Sequence, residues 1–266
     1  MWLKTVGKHL GVLWETKKIT FKGALEYRIA FLMQVGGMVG NDIAHIILWA
    51  FFFQTFPVVN GWGFHDSMIL FSVMTMSFGI LFTLFGGCMS IARSVTTGEF
   101  DHFLTFPLSA LWNILISKTD LAALGDFTFG LLVLPIFVHP ALSELPLLII
   151  SIFLSTWIFL NCVVITQSLA FFLGDFEDAA DNFFHLLLGF GLFPQSGFTG
   201  SLRIVMMTII PAFFIVTLPV EILRHFTWDG LLLLFGYACG SGIVALFVFH
   251  QGLKRYESGN LIHIKG

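Results

Sequence analysis

Asn41, Asp42 and His45 are polar residues set inside a long apolar run, and their types are those that line substrate paths or carry protons. The i, i+3 spacing puts Asp42 and His45 on one helical face, and the i, i+4 spacing brings Asn41 close to His45. An ionisable group at the centre of a bilayer costs about 2.5–3.5 kcal/mol to insert, so it must face a cavity or a partner. Two readings follow. One is a polar patch lining a substrate path or a proton site. The other is an Asp–His pair that satisfies itself and fixes helix packing. Asp126, in a later apolar run, either joins this patch or sits near the inner interface.

Other groups capable of chemistry are sparse. Asp175, Glu177, Asp178 and Asp181 crowd into GDFEDAADN, but they lack the alternating oxygen ligands and central glycine of a calcium loop. They read better as acids that complement a helix dipole at its start. Cys88, Cys162 and Cys239 lie in separate apolar runs without paired spacing, so neither a zinc site nor a disulfide framework is expected. The nine histidines are scattered without ligand spacing, and no metal site is expected. No G-x-x-x-x-G-K-[ST], H-E-x-x-H or G-x-S-x-G string occurs. The chain is therefore not read as an enzyme, and any ATP and Mg it depends on belong to another polypeptide.

The elements that must position these residues are membrane helices. The 266-residue chain is 57% hydrophobic and 11% charged, with mean hydropathy +0.91, whereas soluble domains carry about 25% charged residues. A single transmembrane domain is expected over 1–266, and nothing points to nucleic acid. Residues 1–28 carry Lys4, Lys8, Lys17, Lys18, Lys22 and Arg28 opposite Trp2, Leu10 and Trp14, the pattern of an amphipathic helix lying on the lipid surface.

Spans of about 20 residues are then expected near 29–56, 68–92, 121–138 and 147–173, with a fifth starting near Asp181 and a sixth at 231–249. Thr119 or Asp120 would cap the third. Pro194, Gly197, Gly200, Pro211 and Pro219 break the region 194–223 into re-entrant outer helices. This topology leaves both termini inside, with every Lys and Arg cytoplasmic except Arg203 and Arg224. Small-residue patches at Gly36, Gly37 and Gly40, and at Gly236, Gly240 and Gly242, are expected to let helices approach closely, within the chain or in a dimer.

Between the second and third spans lies RSVTTGEFDHFLTFPL. Gly98 interrupts a helix, Glu99 and Asp101 demand water or a partner, and Phe100, Phe103 and Leu104 share one helical face before Pro107 closes the segment. The bland account is an interfacial helix at the lipid surface. However, GEFDHFLTFP in the segment 93–107 resembles the G-x-hydrophobic-D-x-x-L-x-x-P element that follows the second span in permeases of the type-2 ABC exporter superfamily. There the element is the lever on which a separate ATPase pushes.

The ending GLKRYESG, with Gly252, Leu253, Lys254, Arg255, Tyr256, Ser258 and Gly259, is similar to the close of one branch of that superfamily. SKTDLAALGD and IIPAFFIVTLPVEIL resemble the same branch. The resemblance implies an all-α integral membrane protein with six transmembrane helices, an N-terminal interfacial helix and a cytoplasmic coupling helix. It further implies a bacterial inner-membrane permease working with an ABC ATPase and a second permease, identical or not. An ATPase-independent channel or a proton-coupled carrier using Asp42 and His45 is the competing expectation.

Overall fold

The computed structural model describes residues 2–193 and 210–256. Among the described residues every regular element is helical, and the one β contact is an isolated bridge between Val59 and Trp62. Helix α1 (Trp2–Glu26) and α2 (Arg28–Thr55) meet at Tyr27. An almost continuous apolar rod follows: α3 (Phe64–Phe85), a 3-10 turn (Gly86–Ser90) and α4 (Ile91–Thr97). Gly98, with φ of 77°, ends it in the left-handed conformation that a side chain resists.

Next come the short α5 (Asp101–Leu104) and α6 (Ala110–Ser117), the latter capped by Ser109. Helix α7 (Ala123–Val133) runs into a π-turn, Leu134–Val138, that contains Pro135. Helices α8 (Leu145–Ser168) and α9 (Ala170–Leu173) form a second long rod. The described chain finishes with α10 (Glu177–Gly191), a π-turn Phe213–Thr217, α11 (Leu218–Arg224) and α12 (Trp228–Arg255).

Among the described residues four stretches are long and apolar enough to cross a membrane: Arg28–Thr55, Phe64–Thr97, Leu145–Leu173 and Trp228–Arg255. These match the first, second, fourth and sixth expected spans. The third is a shorter apolar helix, Ala123–Val138, and α10, where the fifth begins, has 15 residues. Most of the segment expected to be re-entrant, 194–209, lies outside the described residues, as do Arg203, Ser258 and Gly259.

The rods α3–α4 and α8–α9 form the centre, while α2 and α12 stay largely exposed on the flanks. Close approach, rather than bulk, sets where α7 lies. A Cβ on Gly79 of α3 would stand 2.6 Å from Phe127, and one on Gly125 of α7 would stand 2.7 Å from the Val35 carbonyl of α2. The backbone of α7 is thus pressed against both neighbours, which carries Asp126 toward Asp42. The glycines expected to do this work are different ones. Gly36, Gly37, Gly40, Gly236 and Gly240 have no described atom within 4 Å of where a Cβ would be, because they lie on outward faces of α2 and α12. Of that group only Gly242 is packed, against Trp157 and Asn161 of α8.

Contacts sort the connections into two ends. At one end Lys17 of α1 holds the chain just before α7, and Asp120 accepts from Ala122 N at 2.9 Å in the turn that leads into α7. The N-cap position itself is Ala122, so neither Thr119 nor Asp120 caps the helix as expected. At the other end Asp66 pairs with Arg224 at 2.9 Å. Arg224 also donates to the Gly61 carbonyl at 2.7 Å and stacks over Trp62. One of the two cations that broke the charge asymmetry therefore has an internal partner, and its cost at that end is offset.

Candidate functional site

Two sets of residues singled out for function come into contact although they are far apart in sequence. The turn after α4 feeds Phe100 N to the Ser94 carbonyl at 2.9 Å, which folds residues 98–104 back under α4. Phe100 is wholly buried. Its ring meets Phe171 of α9 at 5.3 Å, Phe249 of α12 at 6.1 Å and Tyr256 at 5.3 Å, all between ring centroids. The edge-on and tilted geometries are those aromatic rings prefer.

The C-terminal string accounts for this socket. A Cβ on Gly252 would lie 2.6–2.8 Å from Phe171 atoms, so glycine is required for α12 to pass. Tyr256 donates its hydroxyl to the Gly98 carbonyl at 3.3 Å. Burial, and then the Asp101 carboxylate beside it, push the Tyr256 phenol up to about 12. Arg255 lies over the Phe172 ring at 5.2 Å, and Lys254 is exposed. Leu253 packs on the core from a half-buried position.

The apolar face read as one surface is divided. Phe100 faces inward and Phe103 packs partly on the core, whereas Leu104 stays 46% exposed. Glu99 and Pro107 are exposed, and Asp101 is half-buried. Phe106 adds to the outward patch at 44% exposure, with His102 edge-on to it at 4.8 Å. Neither His102 nor Phe106 falls on the i, i+3, i+4 face of Phe100, Phe103 and Leu104, so that spacing carries no signal for them.

Gln167 was missed as well, since an amide in an apolar run gives no spacing signal. It is buried, accepts from Ala92 N at 3.0 Å and donates to Asp181 at 3.1 Å. It thus ties α8 to the start of α4 and to the acidic segment. Lys17, read as facing headgroups, is buried instead. Its Nζ donates to the Ile116 and Lys118 carbonyls and to Thr119 Oγ1, at 3.2, 3.0 and 2.8 Å. Desolvation lowers its pKa from 10.5 to about 8.

A separate polar group is set midway along α2, a helix long and apolar enough to cross a membrane. Asn41, Asp42 and His45 line one cavity with Asp126. Asp126 has joined the patch. The self-satisfied Asp42–His45 pair is not formed: no ion pair joins them among the described residues, and His45 Nδ1 instead donates to the Asn41 carbonyl at 3.1 Å. Among the described residues no group of three or more His, Cys, Asp or Glu is placed to hold a metal ion.

A family model described as "ABC-2 family transporter protein" matches residues 39–259, a stretch that contains both sets. No curated protein and no solved structure matches the chain.

Proposed function

Because the chain belongs to the ABC-2 transporter family and is thereby a membrane component of an ABC transport system, we propose that it is an export permease driven by a separate ATPase. The motor would seat on the outward patch of the segment 93–107, with Glu99, Leu104, Phe106 and Pro107 in contact. Gly98, Phe100, Asp101 and Phe103 would carry the push into the base. The observation that carries this reading is the Phe100 socket, where residues of α9, α12 and Tyr256 close on one ring. A lever must not rotate freely on its base, and three aromatic neighbours from separate elements prevent that.

In the full reading the chain crosses a bacterial inner membrane six times, with both termini and the lever on the cytoplasmic side. A second permease, identical or related, completes the path, and ATP with Mg stays on the ATPases. Closure of the ATPases would tilt α4 and α9 together, and the rods α3 and α8 would rock between inward-facing and outward-facing arrangements. The outward-facing glycines of α2 and α12 are free for contact with that second permease. An ATPase-independent carrier would draw support from the polar cavity alone, and a driven permease accommodates that cavity equally well.

The test is co-purification from native membranes followed by ATPase measurement. An ATP-hydrolysing polypeptide is expected to accompany the wild-type chain and to be lost with Leu104→Ala plus Phe106→Ala. Equal recovery of the ATPase with that double variant would sink the proposed seat.

A further inference from the structure

The cavity that holds Asp42 and Asp126 measures about 220 Å3 and lies among α2, α3, α7 and α10. The two carboxyls reach it from separate helices, α2 and α7, and are only 3% and 5% exposed. The Oδ2 atom of each is buried without a hydrogen-bond partner among the described residues. Leaving one such oxygen buried and unpaired is costly, and leaving two in one cavity is more so. Both sit where helix packing through Gly125 places them, so they are held there by the fold.

What would satisfy them is a donor that also carries positive charge. The protein does not supply it from the described lining, where His45 is the one basic side chain. Its Nδ1–H is already committed to the Asn41 carbonyl. A metal ion fits poorly, because no three ligands converge and hard cations ask for six or more oxygens. The remaining walls have a different character: Phe71 and Phe78 contribute aromatic rings, and Met38 and Met74 contribute soft thioethers. Aromatic faces beside carboxylates attract organic cations.

We propose that the Asp42–Asp126 cavity binds a protonated amine bearing an apolar group, with the ammonium held between the two carboxyl groups and the apolar part beside Phe71, Phe78 and Met74. This names the substrate class of the path in the exporter reading and rests on that reading only for the statement that the bound amine is transported. Binding itself needs no ATPase.

The purified chain in lipid nanodiscs is titrated with dansylcadaverine, a fluorescent primary amine, and with its N-acetylated neutral derivative. Saturable binding of the amine is expected, at least tenfold weaker for Asp42→Asn and for Asp126→Asn, with the neutral derivative no better than empty nanodiscs. Equal binding of the neutral derivative, or unchanged affinity in both variants, overturns the site. Thermal unfolding checks that the variants are folded. A second measurement uses the wild-type chain alone: the amine should protect Asp42 or Asp126 from labelling by dicyclohexylcarbodiimide, and labelling without protection overturns the proposal. Amine binding without recovery of an ATPase would count against the coupling reading and leave the site standing. The reverse pattern would remove the site alone.

Discussion

The Tyr256 hydroxyl donates to the carbonyl of Gly98 at 3.3 Å across 158 residues of sequence. That bond joins the end of the last long helix to the residue whose positive φ turns the chain into the segment 98–107. Two stretches singled out separately thus form one unit, with the Phe100 ring between them.

Tyr256→Phe removes this bond and keeps the ring, so a loss of about 0.5–1.5 kcal/mol in unfolding stability is expected. Tyr256→Ala also removes contacts to Phe100 and Phe171 and should cost distinctly more. Thermal unfolding in detergent ranks the two, and equal losses would show that the ring contributes nothing.

Gly252→Ala drives a methyl group into Phe171. Overpacking of this kind costs about 1–3 kcal/mol, and Phe171→Leu in the same chain should return part of it. A double-mutant cycle on unfolding midpoints measures the coupling. Simple additivity of the two changes would contradict the contact.

Phe100 and Leu104 should separate stability from coupling. Phe100→Ala empties a fully enclosed site and is expected to cost about 3–5 kcal/mol. Leu104→Ala, on a half-open surface, should change stability by less than about 0.5 kcal/mol while reducing ATPase recovery. Melting curves and ATPase recovery for the two single variants decide it, and a stable Phe100→Ala protein would remove the socket argument.

Lys17 makes the docking of α1 depend on pH. Docked, it loses its proton near pH 8, and detached it holds that proton to about 10.5. Between these values the detached state binds more protons, so docking strengthens as pH rises from 8 to 10.5. Below pH 8 both states are protonated and the desolvation cost is present in full. Distances between spin labels on α1 and α6 should show fewer detached molecules at pH 10 than at pH 7.5, with the difference absent in Lys17→Met. Detachment that increases with pH would reverse the assignment.

Composition and apolar run length were sufficient to establish a lipid-embedded, all-helical chain, because hydrogen-bonding the backbone in hydrocarbon leaves helices as the economical solution for long apolar runs. The same residues indicated the break at Gly98 and the polar face at Asp42, since both depend on local conformation and spacing. Which glycines bring helices together was decided only in three dimensions: Gly79 and Gly125 press α7 into place, while Gly36, Gly37 and Gly40 face outward.

Likewise, spacing along α5 grouped Phe100 with Leu104, and only packing against α9 and α12 turned one inward and left the other exposed. The meeting of Asp126 with Asp42 in one cavity, and of Tyr256 with Gly98 at one end, has the same origin. A one-dimensional pattern records which face of a helix is apolar. The partner for that face is selected by shape complementarity between helices that the pattern does not contain.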